Sequence, residues 1–110
     1  MFRKNGSVEN ISKEIVTLKV DIKEGVKNIT RMMLAKKSDK KFDAKLYKDQ
    51  QDIKLRQKYL RKFRRLQRRI FKSGIEVDEL SRKVRDDLRY IVNFIIVVDE
   101  DLKEALKRNR

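Results

Sequence analysis

With 110 residues, 31 Lys and Arg against 17 Asp and Glu, and a net charge of +14, the chain reads as one small domain with a modest core and a marked bias toward anionic partners. It has no Cys and no His, which excludes disulfides, soft metal sites, thiol nucleophiles and imidazole acid–base chemistry together. Proline is absent and glycine occurs only at positions 6, 25 and 74, so a chain that is 44% charged and 39% apolar points to long, exposed helices.

The first predicted helix spans about residues 7–36, with Ser7 as its N-cap. Val8, Ile15, Ile22 and Ile29 fall at heptad position a, and Ile11, Leu18, Gly25 and Met32 at d. β-branched residues at a with Leu18 at d favour a parallel pair of chains, which Glu14 at g and Lys19 at the following e would bridge. The equal alternative is that the same stripe packs against other helices of its own chain. Val16, Leu18, Val20 and Ile22 also alternate with polar residues, as a half-buried strand would. An α+β fold with strands near 14–23 and 90–98 is therefore the runner-up, disfavoured because neither run is flanked by hairpin turn residues.

A polar break over 36–41 leads to a second predicted helix at about 39–72, capped by Ser38 or Asp39 and closed at Ser73-Gly74 by a left-handed glycine. Ten of the nineteen residues from Lys54 to Lys72 are Lys or Arg, and none is acidic. On a helical wheel centred on Phe63, the residues Ile53, Leu55, Tyr59, Leu60, Phe63, Leu66, Ile70 and Phe71 lie within about 80° of it. Nine of the ten cations take the opposite arc, and only Arg56 sits in the apolar one. Asp49 and Asp52 share that apolar face, so Asp49, Asp52 and Arg56 read as an ion-paired layer fixing register.

The charge is concentrated here: residues 54–72 carry +10, against +3 for 1–35, +4 for 36–48, −2 for 49–53 and −1 for 73–110. Six like-charge pairs four residues apart, among them Arg61/Arg65 and Arg64/Arg68, repel by about 1–3 kcal/mol in sum before screening by salt. Ordinary solubilising faces mix both signs, so the run calls for a polyanion.

The third predicted helix spans about 77–108, with an Ile75/Leu80 staple at its start and acids at Glu76, Asp78 and Glu79 against cations at Lys107, Arg108 and Arg110. Its stripe is Leu80, Val84, Leu88, Ile91, Ile95, Val98, Leu102 and Leu106. The nine residues from Tyr90 to Val98, interrupted by Asn93, are apolar on nearly every face yet too short to span a bilayer, which takes about 20 residues. In an antiparallel arrangement Asp86 and Asp87 would lie level with Arg61 to Arg65.

The expected fold is all-α: three long helices in an antiparallel bundle or an extended coiled-coil arrangement. The expected function is non-enzymatic binding of nucleic acid, duplex DNA or RNA, as an architectural or accessory protein of a nucleoprotein assembly. Lys54, Lys58, Arg61, Lys62, Arg64, Arg65, Arg68, Arg69 and Lys72 would contact the phosphate backbone without strong sequence preference. A homo-oligomer is expected through Val8, Ile11, Ile15, Leu18, Ile22, Ile29, Ile91, Ile95 and Val98. No catalytic residue, cofactor or metal site is expected. The alternative is an oligomeric adaptor whose cations meet an acidic protein; peripheral membrane attachment is a weaker fit because no Trp is present to anchor it. The expected location is cytoplasmic, or within a particle assembled in the cytoplasm.

Overall fold

The computed structural model describes residues 5–108, with side chains over 7–96. Three helices, α1 (Asn5–Ala35), α2 (Ala44–Ser73) and α3 (Arg82–Arg108), pack against one another, with a 3₁₀ turn at Val77–Glu79 before the last. The fold is all-α, and both stretches weighed as strands, 14–23 and 90–98, are helical. The missing turn residues explain that outcome: without a hairpin connection the alternation in α1 had no strand to pair with.

Helix directions follow from side-chain meetings. Glu14 pairs with Arg69, and a Cβ placed on Gly25 would lie 2.7 Å from Leu55 Cδ1, so α1 and α2 run antiparallel. Lys19 meets Asp87 and Lys23 lies 5.6 Å from the centre of the Tyr90 ring, so α1 and α3 run in the same sense. The bundle is therefore up–down–up. The gap at Gly25 in the heptad stripe is filled by Leu55 of the neighbouring helix rather than left as a weak layer.

The ends differ in detail from those predicted. Helix α1 begins at Asn5, which places Ser7 inside its first turn instead of at the cap. Helix α2 starts five residues later than expected because Asp43, not Ser38 or Asp39, accepts the Leu46 N–H at 3.1 Å. Asp39 is occupied in the turn before it, accepting from Lys41 N at 3.0 Å. Gly74 closes α2 at φ 69°, as the left-handed C′ position requires, and donates to the Phe71 carbonyl at 3.2 Å. The acids at 76–79 form a turn of their own, in which Glu76 N–H donates to Glu79 Oε2 at 2.6 Å. Ser81 then caps α3 by accepting from Val84 N at 3.3 Å.

The core is built from Ile11, Ile15, Leu18 and Ile22 of α1, Tyr59 and Leu66 of α2, Ile75 and Leu80 of the connection, and Val84, Ile91 and Ile95 of α3. Ile15, Ile22 and Ile91 are fully enclosed, each contributing about 1.5–3 kcal/mol over an exposed position. Ile75 and Leu80 are both buried, but they belong to the connection before Arg82, so the staple predicted for the first turn of α3 is not formed there. Of the nine residues expected to join two chains, Ile11, Ile15, Leu18, Ile22, Ile91 and Ile95 are thus used inside one chain, while Val8 and Ile29 are half-buried. The predicted interchain bridge is likewise spent internally, Glu14 on Arg69 and Lys19 on Asp87. Val98, Leu102, Leu106, Lys107, Arg108 and Arg110 lie outside the described side chains.

Tyr59 reports on the packing of α2. Burial, reinforced by the Asp21 carboxylate, raises the phenol above its ordinary value of 10.0. The folded state thereby holds this proton longer than the unfolded chain, so the contribution is complete below about pH 10 and is lost as pH climbs through the raised value. In alkaline urea melts, Tyr59→Phe is expected to lose less stability than the parent above pH 10; parallel loss in both proteins would show that the phenol contributes nothing.

Candidate nucleic-acid interface

The outer surface of α2 is where the sequence placed the cations. Lys54, Lys58, Arg61, Lys62, Arg64, Arg65, Arg68, Arg69 and Lys72 are all solvent-exposed, on one continuous helix that turns its apolar arc inward through Tyr59 and Leu66. The row from 54 to 72 is about 27 Å long. A shallow hollow of about 340 Å³ is walled by Lys54, Gln57, Lys58, Arg61, Lys62 and Arg65, all from this one helix. These side chains surround solvent, with no other helix in their midst.

Among the described residues, the only carboxylate paired with this row is Glu14, which meets Arg69. The other eight cations have no acidic partner there. Lys58 and Lys62 place their ammonium groups 5.5 and 5.4 Å from the Tyr59 ring centre, a contact that steadies the stems while leaving the charges in water. Glu14 and Asp21 line the edge of a groove of about 390 Å³ between α1 and α2, opposite Lys62, Arg65 and Arg69. Neutralisation is confined to that flank.

One of the two acids expected near the row lies elsewhere. Asp87 is 2% exposed and turned toward α1, with Lys19 Nζ at 2.7 Å and Lys83 Nζ at 3.7 Å, instead of opposite Arg61 to Arg65. α3 leaves α2 unneutralised there because its only buried carboxylate among the described residues is committed to α1. The ion-paired layer at Asp49, Asp52 and Arg56 is also corrected. The Arg56 guanidinium stacks over the Phe94 ring at 4.2 Å and donates to the Phe94 carbonyl, with no bond to either aspartate. An aromatic face and a carbonyl from α3 outcompete a carboxylate on the same helix because they are presented directly to the buried side of α2.

Compared with family models, curated proteins and solved structures, the chain finds no match. Among the described residues, no group of three or more His, Cys, Asp or Glu converges as a metal cage would, and no helix is long and apolar enough to cross a membrane.

The sequence reading missed Phe71. Assigned to the apolar arc, it is 87% exposed, the most exposed large apolar side chain among the described residues. A signal was present: it sits at the very edge of that arc and in the last turn of the helix, three residues before the Gly74 reversal takes the chain away.

Proposed function

We propose that the chain is a non-enzymatic nucleic-acid-binding protein that holds the phosphate backbone along the outer face of α2. The observation that carries this reading is the row of eight exposed cations, Lys54, Lys58, Arg61, Lys62, Arg64, Arg65, Arg68 and Lys72, left without carboxylate partners among the described residues. A fold that gathers six repelling like-charge pairs on one exposed surface gains nothing from them until an external polyanion supplies the counter-charge. Arginine predominates toward the C-terminal half, where its planar fork matches phosphate oxygens better than an ammonium does.

Duplex DNA presents one phosphate charge per about 1.7 Å of axis, so a row about 27 Å long can meet about five or six phosphates on one side. Binding measured by fluorescence anisotropy over a salt series is expected to follow a log–log slope near −5, with duplex sequence of little consequence. A flat salt response would overturn the reading.

A second reading is an oligomeric adaptor whose cations engage an acidic protein. It is favoured by apolar side chains outside the core at the far end of α1 and α2, where Met32, Leu34 and Leu46 are 47%, 65% and 54% exposed. Self-association would draw on that surface, since most of the heptad stripe is already enclosed.

A further inference from the structure

Phe71 lies on the rim of the cationic row, at about 60° on the helical wheel from Arg68 and about 20° from Arg64. Arg68 precedes it by three residues, a spacing that brings Cβ atoms to about 5–6 Å on a helix surface. A lone exposed apolar residue is ordinary. What distinguishes this one is its 87% exposure beside arginines with no acidic partner among the described residues. A phenyl ring there has no protein surface to cover.

Resting on the phosphate-binding reading, we infer that the ligand class of this face is single-stranded nucleic acid, with Phe71 as the platform on which one unpaired base stacks while Arg64 and Arg68 hold the adjoining phosphates. The chemistry of the two edges agrees with this. A single strand carries its phosphates and its bases on different sides, and the helix presents guanidinium groups on one arc with an aromatic face at its margin. Every base has a π-face, so the contact is indifferent to sequence. In a duplex the bases are already stacked within the helix and only the phosphates are presented to the row. Phe71 therefore adds affinity for the strand and none for the duplex.

The chain contains no Trp, so Phe71→Trp installs a single reporter at this point. With a labelled oligothymidine strand and a mixed-sequence duplex as probes, Phe71→Ala is expected to weaken strand binding by about 5- to 150-fold while leaving duplex binding and both salt slopes unchanged. Phe71→Trp is expected to retain strand affinity, with its emission quenched by the strand and not by the duplex. Equal losses on both probes, or no loss on the strand, would overturn the inference. So would a Trp reporter that responds to vesicles of anionic lipid and not to the strand, which would assign the ring to a membrane surface. Failure of the underlying phosphate reading looks different: the parent itself would bind neither probe in a salt-dependent way.

Discussion

Replacing Asp87 by alanine is expected to lower the stability of the fold by about 2–4 kcal/mol, a fall in melting temperature of about 10–20 °C for a domain of this size. Asp87 is 2% exposed, and its Oδ1 lies 2.7 Å from Lys19 Nζ. Removing the carboxylate leaves that ammonium without its counter-charge between α1 and α3. The cost falls toward the lower end of what a broken buried pair usually entails, because the Lys19 side chain is 26% exposed and can turn partly to water. The Tyr90 ring, 5.6 Å from the same ammonium, returns a further part of the loss. The double variant Lys19→Met with Asp87→Leu is expected to recover most of the stability, since it removes both charges and fills their space with apolar side chains. Urea unfolding checks both variants: a single variant within about 0.5 kcal/mol of the parent would show that the pair does not help to hold α1 against α3.

Changing Arg61, Arg64, Arg65 and Arg68 together to Gln is expected to have opposite effects on binding and on stability. At about 0.1 M salt each phosphate contact multiplies the binding constant roughly tenfold through counterion release, so four lost contacts weaken binding by about 10³–10⁴-fold. Stability is expected to stay level or rise by about 1–2 kcal/mol at low salt. The repulsions Arg61/Arg65, Arg64/Arg68, Arg65/Arg69 and Arg68/Lys72 disappear, and no described ion pair is lost with them. Poor binding by a protein that melts no earlier than its parent assigns the effect to the surface and not to the fold. An unchanged affinity would move the weight to the adaptor reading.

The three helices and the cationic face of the second were legible because each rests on a long periodic pattern: an apolar stripe over Ile11 to Ile22, and cations opposite Tyr59 and Leu66. Periodicity fixes which face turns inward, but it is silent about which neighbour that face meets. Glu14 and Lys19 show this. Their heptad positions suited a bridge to a second chain, yet each has found its partner on another helix of its own chain.

The place of Arg56 among apolar residues shows in the sequence, whereas its partner on another helix does not. The ring and carbonyl of Phe94 lie 38 residues away, and no local rule links them. Cap choice failed for a similar reason at smaller scale. Ser38, Asp39 and Asp43 all have cap chemistry, and the turn geometry selects Asp43 while using Asp39 to brace the loop before it. Phe71 falls in the apolar arc yet stands exposed, because a wheel assigns a face without saying how far along the helix that face stays covered.

The role proposed for the unpaired outer cations of α2 is phosphate binding. Its most direct test is the salt dependence of binding by the parent and by the four-arginine variant, measured side by side on one duplex. The parent is expected to show a log–log slope near −5, losing about a thousandfold in affinity between 50 and 200 mM salt, while the variant's slope falls to about −1 to −2. Equal slopes in the two proteins would mean that phosphates are met elsewhere on the chain, and would contradict the role given to this helix.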